Sequence, residues 1–160
     1  MELLEGNLYF IKNDFFSKIG DKNLMLNHGK KSNRPLYLCI KNKNIIWLIP
    51  LSSKIDKYKR IINYRKKLYG KCDSIIIEKI LGKKSAILIQ NAFPCKKEYI
   101  DHCYLTSNGK KAYIPSKTKN RIKIKLEILF SLKNKGINLF MSDIDIIIKK
   151  LENIGTLHKL

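Results

Sequence analysis

The stretch from Trp47 to Ile61, WLIPLSSKIDKYKRI, changes from a bulky apolar run to a basic amphipathic one, and two hydroxyls, Ser52 and Ser53, stand at the change. A helix needs only one capping residue. Ser53-x-x-Asp56 matches a capping box, in which the Ser53 hydroxyl accepts an otherwise unpaired helix N–H. Ser52 is left over, beside a helix N-terminus whose free N–H groups and dipole favour a phosphate. Lys54 and Lys57 add positive charge at the same end. One compact stretch therefore offers a phosphate cradle, a hydroxyl and an ammonium. Cleavage of RNA by its own 2′-OH needs little more: a base for the 2′-OH proton, a cation for the charged phosphorane, and an acid for the leaving 5′-oxygen. A helix cap with solvated lysines accounts for the same residues, and the residue types alone leave both readings open.

The elements that would hold this stretch follow from periodicity. Leu36–Ile40 and Ile45–Pro50 are β-branched and aromatic runs joined by KNKN, which reads as a hairpin with a four-residue loop. Pro50 is expected to stop the second strand or to place it at an edge. From Ser53, apolar residues recur at helical spacing (Ile55, Tyr58, Ile61, Ile62, Leu68, Tyr69) until Gly70 closes the pattern. Asn7–Lys12, Ser74–Ile80 and Ser85–Asn91 read as further strands, with LGKK turning between the last two. Pro94 and the polar residues up to Asp101 are expected to break the sheet pattern. Residues Gly20–Asn33 read as a loop. A helix is expected after Pro115, ending at Gly136, and a last one over Ile144–Leu151, with Ser142 and Asp145 as a capping-box-like pair. Five or six short strands with helices mostly late predict one α+β domain over residues 1–160, built on a small, mainly antiparallel barrel.

Composition narrows the partners. The chain has 160 residues, 33 Lys and Arg against 13 Asp and Glu, and a formal charge of +20. A folded domain this basic repels itself unless a polyanion offsets the charge, and nucleic acid is the leading candidate. Part of the excess follows the Lys, Ile and Asn richness expected of an AT-rich coding sequence. No run is long and apolar enough for a membrane span. The acidic N-terminal stretch lacks a signal peptide's features, so a cytoplasmic protein without membrane partners is expected. Cys39, Cys72, Cys95 and Cys103 form no CxxC pair, and the spacing of Cys95, His102 and Cys103 does not suit a zinc finger or ribbon. Reduced thiols, no metal site and no cofactor are expected.

The motifs GNLYFIK, NRPLYLCI, WLIPLSSK, YGKCDSIII, KKSAILIQNAFP and DIDIIIKKL occur in this order from Gly6 to about Leu151. In order and spacing they closely resemble the toxins of type III toxin–antitoxin systems, the ToxN/AbiQ superfamily, and within it the CptN-type toxins. The resemblance implies an SH3-like barrel of the MazF/Kid kind with added helices. It implies a metal-independent endoribonuclease that cleaves adenine-rich RNA, substrate mRNA included, to leave a 2′,3′-cyclic phosphate. The expected inhibitor is a small pseudoknot RNA antitoxin, which the toxin processes from a repeated precursor and binds in a closed protein–RNA assembly. Growth control and abortive infection against phage are the implied roles. The PLSS step resembles the family's Pro-Leu-[Ser/Thr]-Ser step, so Ser52 and Ser53, with Lys54 behind them, inherit the active-site assignment. Arg34 falls where the family carries a basic residue before the strand, and its implied role is the phosphate-binding cation. A histidine often found in CptN-type toxins near Ser32 is missing, the nearest being His28.

Lys12, Lys30, Lys31, Lys57, Lys59, Arg60, Arg65 and Lys66 are the candidate RNA-binding cations. Tyr9, Phe15, Phe16, Tyr37 and Tyr58 are candidates for stacking on unpaired bases, but most of them sit on apolar faces, so core packing is the favoured reading for any one of them. A non-catalytic basic RNA-binding module would explain the charge but not the paired serines. A metal-dependent nuclease would need clustered carboxylates, and the only tight acidic pair, Asp143-x-Asp145, stands at a helix start. A lipid-surface binder would need the apolar face of the basic helix, which the small core also requires.

Overall fold

The computed structural model describes residues 2–24 and 35–157. Its centre is a strand, β3 (Ile45–Ser52), which pairs antiparallel with β2 (Tyr37–Asn42) along its whole length, from Asn42↔Ile45 to Tyr37↔Pro50. The turn between them is only Lys43-Asn44, both at positive φ (47° and 64°), which is tighter than the four-residue loop expected. Positive φ at both central residues is what a two-residue hairpin with right-handed strand twist requires, and Asn tolerates it. Lys41 and Asn42 belong to the strand, with Lys41 exposed.

β2 also pairs with β1 (Leu8–Ile11), and β1 with β7 (Ile100–Cys103). The other edge of β3 is shared. Its first half pairs with β6 (Phe93–Cys95), through Ile46↔Cys95, Trp47↔Pro94 and Leu48↔Phe93. Its last two residues pair with β5 (Lys83–Ile87), through Leu51↔Ile87 and Ser52↔Ala86. β5 forms a second hairpin with β4 (Ile76–Ile80) around Leu81-Gly82, again at positive φ (51° and 81°). Two expectations fail here. Pro50 neither ends β3 nor lies at an edge, and Pro94 sits inside a strand.

The pairing path runs β4-β5-β3-β2-β1-β7, all antiparallel, with β6 branching from β3. The sheet is not closed, because its ends, β4 and β7, do not pair among the described residues. The SH3-like barrel expected from the sequence is therefore corrected to an open antiparallel sheet in an α+β fold.

Alternation along β3 divides the core. Ile45, Trp47, Ile49 and Leu51 face α3 (Ser116–Asn134), whose Ile122, Leu126 and Leu129 are buried against them. Ile46 and Leu48 face α1 (Asn13–Ile19) and α4 (Ile144–Leu157), which contribute Phe15, Phe16, Ile147 and Leu151. The β4–β5 arm carries α2 (Ile55–Tyr69) on its outer face, through Tyr58, Ile75, Ala86 and Leu88. The last helix differs from expectation at both ends. Asp143, not Ser142, caps it, its Oδ1 accepting the Ile146 N–H at 3.1 Å, and Ser142 is buried. It runs to Leu157, beyond the Leu151 expected, so Gly155 lies within it and is not its stop.

α3 is lashed to the sheet side by charge. Lys123 pairs with Glu5 (2.9 Å), Lys125 with Asp73 (2.8 Å) and Arg121 with Glu78. Asp73 also accepts Lys71 at 3.3 Å and is nearly buried. Burial by itself would raise its pKa, but the bonds and charges of Lys125 and Lys71 overcome that and lower it below the ordinary value. A depressed folded-state pKa contributes stability above the unfolded carboxylate's pKa of about 3.9, lost as pH falls through the folded value. Asp73→Asn should therefore lower the urea midpoint at neutral pH and narrow the gap to wild type as the pH drops below about 4. An identical gap at both pH values would refute this role.

Candidate functional site

The β3–α2 junction is built by the end of one sheet arm. Ser52 is the last residue of β3 and is held by its pairing to Ala86. Parity with Ile46 and Leu48 places it on the sheet face away from α3, the face that Ala86 shares with α2. Its Oγ accepts the Lys54 backbone N–H at 3.2 Å, a serine turn that swings the chain out of the sheet. Ser53 is exposed, and its carbonyl accepts the Ile55 N–H at 2.8 Å. The first full helical bond follows, from Tyr58 N–H to the Lys54 carbonyl at 3.2 Å.

This corrects the expected capping box. β3 runs two residues further than predicted, and α2 starts at Ile55, so the N-cap position falls on Lys54. No side chain caps the helix. The N–H groups of Asp56 and Lys57 are consequently left without an intrahelical acceptor, as the first turn of a helix requires. Ser53 is released from structural duty, and Ser52 acquires one. The corner presents the Ser53 hydroxyl, the Ser52 hydroxyl proton, the Lys54 ammonium and the open helix end together. Asp56, in the first turn, offsets part of that positive field.

The other predicted residues disperse. Arg34, Lys30, Lys31 and His28 lie outside the described residues. Lys57 is in the first turn of α2, its Nζ 5.2 Å from the Tyr58 ring centroid. Arg60 is exposed on the same helix. Lys59 and Lys66 line a cleft between α2 and α3 with Lys71, Arg121 and Lys125. These last three were missed. The lysines and arginine of α3 alternate along Lys117–Lys125, a spacing that spreads them around a helix and signals no face in the sequence. Lys12 follows β1 and donates to the Glu98 carbonyl at 3.0 Å.

Arg65 is not available to RNA. Its guanidinium donates to Ser74 Oγ (2.5 Å) and Gln90 Oε1 (2.6 Å), both on buried residues, and so pins α2 to the sheet. The aromatic candidates are also withdrawn from solvent. Tyr9, Tyr37 and Phe15 are fully buried, and Phe16 and Tyr58 nearly so.

All four cysteines are free, and burial pushes the Cys39 thiol up to about 12 and raises that of Cys95 further. Neither is a nucleophile at neutral pH. Among the described residues no three His, Cys, Asp or Glu side chains gather as a metal-binding group, and no helix is long and apolar enough to cross a membrane.

No protein-family model matches this chain, and no curated protein matches its sequence. Solved structures match its fold almost end to end. AbiQ, a lactococcal anti-phage endoribonuclease belonging to the type-III toxin–antitoxin system, superposes with a TM-score of 0.72 at 12% identity, covering 94% of this chain and 98% of AbiQ. A protein from work on bacterial type III toxin–antitoxin systems, in which a non-coding RNA pseudoknot selectively inhibits the toxin, superposes with a TM-score of 0.67 at 12% identity. That match covers 95% of this chain and 99% of the other. The chain has the fold of these type III toxin–antitoxin proteins, as the order of its motifs led one to expect.

The junction geometry reverses the stabilities expected of the two serines. Ser52→Ala, which removes the acceptor for the Lys54 N–H, should cost about 0.5–1.5 kcal/mol. Ser53→Ala should stay within about 0.5 kcal/mol of wild type. Thermal denaturation of the two variants decides, and a larger loss at Ser53 would restore the capping box. Arg65→Ala should cost about 2–3 kcal/mol by leaving Ser74 and Gln90 without their charged donor, with Arg65→Lys recovering part of it, because both bonds come from one guanidinium nitrogen and an ammonium carries enough donors for both. Urea unfolding midpoints equal to wild type would contradict that assignment.

Proposed function

We propose that this protein is a sequence-specific, metal-independent endoribonuclease toxin of a type III toxin–antitoxin system. The observation that carries the reading is the near end-to-end fold match to AbiQ, an endoribonuclease, in a chain whose own β3–α2 corner offers hydroxyls, an ammonium and open amides to a phosphodiester. In the reaction the 2′-oxygen attacks the adjacent phosphorus and the bond to the 5′-oxygen breaks. The 2′ proton leaves to a base, the 5′-oxygen gains a proton, and a 2′,3′-cyclic phosphate remains. The amides of Asp56 and Lys57 and the ammonium of Lys54 are suited to the charge that gathers on the phosphorane, where pre-oriented donors contribute most. Ser52 and Ser53 are suited to hold the phosphate and the reacting hydroxyl in line.

Arg34 is assigned the phosphate-binding cation. Leu36, two residues later in the sequence, accepts the Leu51 N–H at 3.0 Å, one residue before Ser52. The engagement of Glu5, Asp73, Glu78 and Asp145 by lysine or arginine supports chemistry without a metal. Adenine-rich RNA is the assigned substrate, mRNA in the cell. A small pseudoknot RNA is the assigned inhibitor, which the toxin also processes and with which it closes into an assembly. Growth control and abortive infection of phage-infected cells follow from releasing that inhibition.

The test is cleavage of adenine-rich RNA by purified protein in EDTA, with product ends resolved chemically. Activity should persist and leave 2′,3′-cyclic phosphate, and Arg34→Ala should reduce single-turnover cleavage by about 10²–10³-fold, as loss of a transition-state donor does. Products with 3′-OH ends, or activity that appears only on adding Mg²⁺, would overturn the proposal. A protein that binds RNA with no cleavage under any condition would favour the non-catalytic module.

A further inference from the structure

Three large apolar side chains on α2 face solvent: Tyr69, its last residue, is 73% exposed, Tyr64 64% and Leu68 53%, on a helix whose buried residue is Tyr58. At 100° per residue, Arg60, Tyr64, Lys67 and Leu68 fall in one stripe on the side away from Tyr58, and Lys57 stands at its start with its ammonium turned over the Tyr58 ring. Tyr64 and Leu68 are four apart and therefore adjacent, making a small apolar island with cations before and beside it. The stripe runs about 16 Å along the helix, from the turn that holds the open N–H groups.

The charge on this face is unbalanced. Lys57, Arg60 and Lys67 have no carboxylate partner among the described residues, and Asp56 is the helix's only acid. Like charges three and four residues apart destabilise a helix. An exposed aromatic ring adds nothing to the fold. Both features are costs to the free protein that a polyanion carrying flat apolar groups would offset, and single-stranded nucleic acid is that ligand. Its phosphates satisfy the cations and its bases stack on the ring.

We infer that the outer face of α2 is a stacking platform for an unpaired nucleotide of the RNA substrate, next to the phosphate held at the β3–α2 corner. A base lies on the Tyr64 ring and covers Leu68, while Arg60 and Lys67 neutralise the phosphates on either side. The assignment rests on the proposed ribonuclease reading for its substrate. The corner determines where the strand is cut, and the stripe holds the flanking strand so that the scissile phosphate stays in place.

The experiment measures binding of a fluorescent oligoadenylate, methylated at its 2′-oxygens so that it cannot be cut, to the full chain and to Tyr64→Ala, Tyr64→Phe and Tyr64→Leu. Each variant's fold is checked by circular dichroism. A blunt RNA duplex is the second probe, and cleavage of unmodified RNA is followed in parallel. Tyr64→Ala should weaken oligoadenylate binding about five- to hundred-fold, the range for loss of one base–aromatic stack. Tyr64→Phe should bind as wild type, and Tyr64→Leu should resemble Tyr64→Ala, because area without a π-face does not stack. Duplex binding should not change in any of them. Arg60→Ala should reduce the slope of log affinity against log salt by about 0.7. Equal oligoadenylate affinity in wild type and Tyr64→Ala, with cleavage intact, would overturn the platform and leave the ribonuclease reading standing. So would full recovery by Tyr64→Leu, or an equal loss on the duplex. A wild-type chain that neither binds nor cuts single-stranded RNA would overturn both.

Discussion

The missing N–H of Pro50 is the constraint on which this architecture turns. Leu51 donates its N–H toward β2, to the Leu36 carbonyl, so the Pro50 nitrogen points to the opposite edge of β3. A neighbour running unbroken along that edge would lose a ladder bond at this position. None does. β6 covers the edge up to Leu48 and β5 takes it up at Leu51, with the Pro50 carbonyl accepting the Leu88 N–H at 3.0 Å. The proline thus marks the place where one strand passes from one neighbour to another. The β4–β5 arm, α2 and the serine corner all hang from the segment beyond it.

The same constraint explains why an open sheet stands where a barrel was expected. Because β3 divides one edge between two partners, the sheet branches, and β4 and β7 finish on separate margins. A proline in a strand-like run is ordinarily evidence for an edge or an end, and the changeover reading requires knowing that β5 and β6 arrive from later in the chain. Pro94 misled for the related reason that β6 is short and meets β3 where no donor from Pro94 is required of it. The tight turns were hidden differently. KNKN is polar throughout and LGKK ends in two lysines, and only the positive φ at Lys43-Asn44 and Leu81-Gly82 separates turn residues from exposed strand lysines. Helices were legible where apolar periodicity and a terminal glycine agreed, as at Gly70, which ends α2 in the left-handed conformation.

The site was legible in part. Ser52 and Ser53 do stand at a strand-to-helix switch, but a capping-box pattern cannot tell whether the helix begins at Ser53 or at Ile55. Two residues of extra strand, fixed by Ser52↔Ala86, moved the cap position onto a lysine and left the helix end open. The aromatic residues were read more easily. Tyr9, Phe15 and Tyr37 sit on apolar faces in the sequence and are core. Tyr64 fell between the apolar positions of α2 and was passed over, because an exposed aromatic does not contribute to the periodicity by which a helix is recognised.

Net charge alone says little here, whereas its placement says a good deal. α3 and α2 carry six cations each, yet among the described residues four of those on the first are ion-paired and none on the second is. Glu5, Asp73 and Glu78 reach α3 from three different segments and bond Lys123, Lys125 and Arg121. A coding bias toward lysine accounts for the number of cations but not for this segregation, in which scarce acids are spent where a helix must be fastened and withheld from the helix that leads away from the serine corner. On α2 the one internally satisfied cation is Arg65, and it is satisfied by neutral groups, Ser74 and Gln90, so the helix is fastened without being discharged. The field of the outer cations therefore remains directed at solvent, falling off over about a Debye length at physiological salt. It adds to that of the open helix end at Asp56 and Lys57.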